Sequence, residues 1–262
     1  MNENTLNCFS NINSWKGFIV EIKSISDSMK NPFFRGQGNF FRMGGCRNSG
    51  WRLEPSLYRN KKNNHPIFIN CVKNILNDPV CKKLLKKTIG KNLNENSNSD
   101  RKTLISIMRH LGLPTPLLDW SKNPWVAAYF AFKYPFKNSE KVTVFLFDQH
   151  AWRCNRNSLT GRDLKIVEIN ELEHLIPRQS AQESVYTYSG KKEIFQEFVG
   201  DESEGEEHFI SYCSLPLSDQ NEALEHLESM GISEKNLFPD KQTVGELKKE
   251  LYKHVIIHMK QE

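Results

Sequence analysis

An α+β fold is what the sequence predicts: a mixed sheet core with a buried central helix and a helical N-terminal part. Three observations point to it. Val142–Phe147 is an unbroken β-branched and aromatic run, the pattern of a buried strand. Trp125–Phe132 is apolar on all sides, the pattern of a helix enclosed by other elements. Helix and strand patterns also mix along the chain without strict βα alternation, which disfavours a doubly wound sheet.

The elements follow in order. Trp15, Phe18, Ile19, Ile22 and Ile25 recur at helical spacing within Ser14–Met29, with Ser14 as N-cap. Asn31-Pro32 breaks that helix. Phe33–Gly36 reads as a short strand ending in a turn, and Gly38–Gly50, with Gly44, Gly45 and Gly50, as a loop. Pro66–Ile89 is helical with an interruption near Asp78-Pro79. Lys91–Asp100 (KNLNENSNSD) has a polar composition with nothing to bury, so a flexible, removable loop is expected. Arg101–His110 resumes a helix with Leu104, Ile107 and Met108 inward. Leu111–Ser121 holds Gly112, Pro114 and Pro116 and is no regular helix. Asn123-Pro124 is a helix start, Asn capping and Pro in the first position. Beyond Gly161 the pattern weakens. Val185–Tyr188 and His208–Cys213 read as strands, Asn221–Met230 as a helix stopped by Gly231, and Thr243–Tyr252 as a further helix. This divides the chain into an N-terminal helix over 1–30, a main domain over 31–240, and a helical or strand extension over 241–262.

The 262 residues can bury a sizeable core, and 38% hydrophobic with 26% charged residues excludes disordered and fibrous classes. No apolar run approaches the roughly 20 residues that span a bilayer, and Met1–Ser10 is polar without a signal pattern. A soluble cytoplasmic protein with no membrane partner is expected. The six cysteines form no C-x-x-C pair and no zinc-like spacing, so reduced thiols and no metal are expected. Lys61–Lys102 carries ten Lys/Arg against three Asp/Glu, while Glu193–Glu207 carries seven acids and no Lys/Arg. The basic stretch is a solvated helical face or a surface for nucleic acid.

Two blocks are more specific. One is Phe33-Phe34-Arg35-Gly36-Gln37. The other runs from His110 to Pro124 (HLGLPTPLLDWSKNP) and on into Ala127-Ala128-Tyr129-Phe130-Ala131. Pro177–Gln182 (PRQSAQ) and the segment from Gly231-Ile232 to Leu237-Phe238-Pro239-Asp240 complete the pattern. On these residues the chain resembles the FRG-domain family from roughly Pro32 to Asp240. It departs from the family at Arg109, where Gln is frequent, at Pro116, where Arg is usual, and at Ser184, where Gly is frequent. The first two departures leave no role assigned to a cationic or amide side chain at either position. The resemblance implies a working site built from Arg35, Leu111–Pro124 and residues near Gln182.

The motif order is also similar to that of ADP-ribosyltransferase folds: an early Arg, a Ser leading into an Ala-x-x-Phe-Ala-like helix, and a late Gln or Glu. Here these are Arg35, Ser121 and Gln182-Glu183. The likeness implies an NAD-using ADP-ribosyltransferase or NAD hydrolase, acting as a toxin or antiphage effector. Arg35, with Gly36 allowing close approach, would hold the pyrophosphate, with Asp119, Trp120 and Ser121 beside it. Glu183 would meet the positive charge developing on the ribose, Gln182 could only hydrogen-bond, and His110 would be a titrating residue. On a strand, neighbours 182 and 183 would face opposite ways. Each residue also has a purely structural reading. Arg35 could cap Asp119, and Asp119 could bond backbone N–H groups of the Pro-rich loop. Trp120 and His110 could be core residues, and Ser121 a helix-start residue. Unpaired buried charge is costly, so Arg35, His110, Asp119 and Trp120 are expected to meet. A nucleotide- or nucleic-acid-binding module without turnover is the alternative. A nuclease or other hydrolase using His110 and Asp119 lacks a paired carboxylate motif.

Overall fold

The computed structural model describes residues 9–39, 53–59, 65–155, 164–167, 177–190, 209–239 and 245–259. Among them, six strands form one antiparallel sheet: β1 (Phe33–Gln37), β2 (Leu117–Ser121), β3 (Lys141–Phe147), β4 (Leu164–Val167), β5 (Ser184–Ser189) and β6 (Ile210–Pro216), in the order β4-β5-β2-β1-β3-β6. Ten helices surround it: α1 (Trp15–Ser28), α2 (His65–Asn77), α3 (Pro79–Ile89), α4 (Asn98–His110), α5 (Pro124–Lys133), α6 (Gln149–Asn155), α7 (Pro177–Ala181), α8 (Gln220–Ser229), α9 (Glu234–Leu237) and α10 (Gly245–Met259). The fold is α+β. No helix among the described residues is long and apolar enough to cross a membrane. The glycine-rich stretch with Gly44, Gly45 and Gly50, and the acidic run Glu193–Glu207, lie outside the described residues.

Three apolar clusters divide the core. On one side of the sheet, α5 presents Val126, Ala127, Ala128, Ala131 and Phe132 to Phe34, Val144 and Leu146, with Trp15 and Phe18 of α1 packed over it. This is the buried central helix. The Asn123 side chain accepts from the N–H groups of Trp125 and Val126, and Pro124 stands in its first turn. The opposite side packs Phe33, Trp120, Phe145, Phe147 and Val185 with Trp152 of α6. The third cluster joins α2, α3, α4 and α10 beyond β2 and β5, through Phe68, Leu85, Leu104 and Leu251. α3 begins where Asp78 accepts the Cys81 N–H and Pro79 opens the helix, which explains the interruption. The C-terminal extension is the helix α10, with Leu247, Leu251 and Val255 buried.

The structure corrects three expectations. Phe33–Gly36 does not turn at Gly36, because β1 continues to Gln37. Gly36 is needed for packing: a Cβ there would lie 1.8 Å from the Ala127 carbonyl oxygen and 2.6 Å from the Ala131 nitrogen of α5. The sheet is antiparallel at every described pairing and not mixed; Leu111–Ser121 is no regular helix, as expected, and ends in the strand β2. Lys91–Asp100 is not a removable loop. Leu93 is buried in the helical cluster, and residues from Asn98 onward form the first turn of α4. The Ser97 hydroxyl accepts the Asp100 N–H, and the Asp100 carboxylate accepts the Asn94 N–H, so the polar residues are spent on capping.

Candidate functional site

The site grows from the contact between the two central strands. β1 and β3 share five register pairs, but β1 and β2 share one, Phe34↔Ser121. Beyond it a side chain takes over from the ladder: Arg35 Nη1 donates to the Asp119 carbonyl oxygen at 2.8 Å. The same Nη1 lies 3.8 Å from Asp119 Oδ2. Asp119 therefore sits on a strand, opposite Tyr186 of β5, and not in a Pro-rich loop bonding backbone amides.

Its main partner comes from the last turn of α4. Arg109 donates Nε to Asp119 Oδ1 at 2.7 Å and Nη2 to Oδ2, a two-pronged pair, while Nη1 donates to the Ser56 hydroxyl at 3.0 Å. The departure from the family pattern at Arg109 thus carries a role that sequence reading left unassigned. Burial works against ionisation of Asp119, but Arg109, then Arg35 and Arg59, outweigh it and hold the carboxyl below its ordinary value. Burial likewise works against the Arg109 cation, and Asp119 more than offsets this. Arg35 is the strained partner. It is lowered to about 10: burial lowers it most, Asp119 recovers part, and Arg109 and Arg59 add to the lowering. Its Nε is buried with no hydrogen-bond partner among the described residues.

These groups open into a cavity of about 590 Å³. Four arginines line it, Arg35, Arg59, Arg109 and Arg178, together with His110; Asp119 is the single carboxylate among the described lining residues. Much of the remaining wall is aromatic, including Phe130 and Phe238. The Arg178 guanidinium lies 4.7 Å above the Phe238 ring. Burial also lowers Arg59, with Arg109 adding to the effect.

Of the residues expected in the site, Arg35, Gly36, His110, Asp119, Trp120, Ser121 and Gln182 all line this cavity. They differ in what they offer. Trp120 is 2% exposed, its indole N–H donates to the Thr187 hydroxyl at 2.8 Å, and its ring packs on Phe147; it is a core residue and no stacking platform. The Ser121 hydroxyl donates to the Gln182 carbonyl at 2.8 Å and accepts the Asn123 N–H at 3.0 Å, tying the start of α5 to the late segment. Gln182 Nε2 donates to the Leu237 carbonyl at 3.0 Å.

Glu183 does not join them. Gln182 and Glu183 form a turn between α7 and β5, so strand alternation does not govern them. Glu183 has left-handed backbone, φ +46°, and its carboxylate accepts from Asn123 Nδ2 at 2.7 Å. It is exposed and is not among the residues lining the cavity, which corrects the expectation that it supplies the site carboxylate. Sequence reading also missed Arg59, Arg109 and Arg178. Arg178 stands inside the PRQSAQ block and Arg109 immediately before the long block, so position beside a motif was the available signal.

Elsewhere, Asp78, Cys81 and His254 place ligand-type atoms within 4.8 Å of one another, with Asp78 already engaged as the cap of α3. Cys71, Cys81, Cys154 and Cys213 form no disulfide. Residues 31–140 match the family model of the FRG domain. That span holds Arg35, Arg59, Arg109 and Asp119, and the Arg178–Gln182 wall lies beyond it. No curated protein and no solved structure matches the chain.

Proposed function

We propose, for a chain that carries an FRG domain over residues 31–140, that the arginine-lined cavity takes NAD and that the protein acts on the bond between nicotinamide and ribose, as an ADP-ribosyltransferase or NAD hydrolase. One observation carries this reading. Four arginines converge on a partly aromatic cavity whose described lining holds one carboxylate, Asp119, paired to Arg109. Among the described lining residues guanidinium groups outnumber carboxylates, which suits a pyrophosphate by sign and by the guanidinium fork. An incoming phosphate would offset, by its opposite charge, the burial that lowers Arg35.

Support for chemistry at the site comes from Arg35, Ser121 and Gln182 lying along one cavity in the order the likeness to ADP-ribosyltransferases implies. Cleavage of the nicotinamide bond develops positive charge on the ribose, and Asp119, kept ionised by Arg109, is the carboxylate that could meet it. Gln182 could orient a hydroxyl of the ribose or of the acceptor. In a cell, NAD consumption of this kind is an activity suited to a toxin or antiphage effector.

A second reading, binding without turnover, is favoured by Glu183 pointing its carboxylate at Asn123. It would also give a use to α3, which exposes Lys82, Lys83, Lys86 and Lys87 and carries no acid. Such a face suits a nucleic-acid backbone, with binding that falls steeply with salt. Mass spectrometry of NAD incubated with the protein, with and without nucleic acid, separates the two. Release of nicotinamide is expected, with the rate of Glu183→Gln within about twofold of wild type, since that residue lies off the cavity. NAD that binds but stays intact would leave the binding reading in place.

A further inference from the structure

We propose that Tyr134 and Phe136 form an aromatic shelf at the cavity mouth on which the adenine ring of the dinucleotide stacks. The inference rests on the reading of the cavity as an NAD site and adds which end of the ligand lies where.

Both residues line the cavity, yet each is 52% exposed. Large rings left in water beside a cavity are a surface that a ligand can cover. They are also joined to the cationic part of the site. The Tyr134 ring stacks near Phe130, with centroids 6.4 Å apart and planes at 23°. Phe130 meets Phe238 edge-on at 6.0 Å, and Arg178 lies over Phe238. A wall of rings thus leads from the exposed mouth to one of the phosphate-suited arginines.

The backbone under the shelf is held in place. Tyr134 ends α5, and the Phe136 N–H donates to the Gly38 carbonyl at 2.6 Å. Gly38 approaches so closely that a Cβ there would lie 1.8 Å from the Tyr134 carbonyl oxygen. The rings are therefore presented on a fixed segment beside the end of β1, and ordering them costs a ligand little.

The chemistry decides which ring of NAD stacks there. The nicotinamide ring carries positive charge, and the proposed function places the breaking of its bond to ribose near Asp119, Ser121 and Gln182. Adenine is neutral, takes no part in the reaction and has two large apolar faces. It fits the exposed shelf, with the pyrophosphate between them on the arginines.

The test is calorimetric affinity for NAD, adenosine monophosphate, nicotinamide mononucleotide and inorganic pyrophosphate, measured on wild type, Tyr134→Ala, Phe136→Ala and Tyr134→Phe. Each Ala variant should weaken NAD and adenosine monophosphate about tenfold, the scale of one stacked base, and leave the other two ligands within about twofold. Tyr134→Phe should bind as wild type. Both Ala variants should melt with wild type, because the rings are half exposed. Ala variants that bind NAD as tightly as wild type would overturn the shelf, and so would an equal loss for all four ligands. If the shelf variants keep NAD affinity while Arg35→Ala loses it, the shelf is wrong and the NAD site stands. A wild-type protein that binds none of the four removes both.

Discussion

Arg109→Ala should destabilise the protein by about 2–3 kcal/mol, the range for breaking an ion pair that is not fully buried. That corresponds to a melting temperature lower by roughly 5–10 °C for a domain of this size. The substitution strips Asp119 of both its short hydrogen bonds and removes one donor from the Ser56 hydroxyl, leaving Arg35 at 3.8 Å as a remaining counter-charge. An Arg109→Ala, Asp119→Ala double variant should recover part of the loss, since no uncompensated carboxylate remains. The pH dependence has a definite sign. The Asp119 carboxyl is held below its ordinary 3.8 in the folded protein. It therefore contributes stability above that value and loses it as the pH falls through the lowered folded-state value. The gap between wild type and Arg109→Ala should be full at neutral pH and shrink in strong acid. Equal melting of the two proteins at neutral pH would remove the clamp from the account.

Gly36→Ala should cost about 3 kcal/mol or more, at the upper end of overpacking substitutions. The added carbon would stand 1.8 Å from one α5 backbone atom and 2.6 Å from another, and no side-chain rotation relieves a clash with backbone on a packed helix. The strand or the helix must move. Arg35 is the adjacent residue, so its hydrogen bond to the Asp119 carbonyl should be lost with the packing. Thermal or chemical denaturation checks the first consequence, and nucleotide affinity the second. A Gly36→Ala protein with native stability would show that β1 and α5 lie farther apart than described.

What could be read in the sequence was whatever depends on local apolar patterning. α1, α5 and β3 each declare themselves by the spacing or density of apolar residues, and their caps and breakers stand beside them: Ser14, Asn123, Pro124. β2 was hidden because Pro114 and Pro116 punctuate the chain just before a strand of five residues, which owes its state to pairing with β5 and β1. The anchoring of Lys91–Asp100 was hidden because a single Leu93 among nine polar residues does the burying. The site divides in the same way. Arg35, Ser121 and Gln182 lie in motif blocks, so resemblance finds them. Arg59, Arg109 and Arg178 matter because three distant segments bring them to one cavity, and no local pattern encodes that convergence. Glu183 is placed wrongly by local reading because a late Gln-Glu pair reads as strand, whereas the pair forms a turn that aims the carboxylate at Asn123.

The central claim is that the arginine cavity is a nucleotide site, and titration of NAD into wild type, Arg35→Ala, Arg35→Lys and Arg178→Ala tests it most directly. Wild type should bind with one site per chain. Arg35→Ala and Arg178→Ala should each weaken binding roughly 10- to 100-fold, the range for losing charge-assisted hydrogen bonds. Arg35→Lys should fall between, since it keeps the charge and loses the planar fork. No binding of NAD by the folded wild-type protein, or affinities for both Ala variants equal to wild type, would contradict the account.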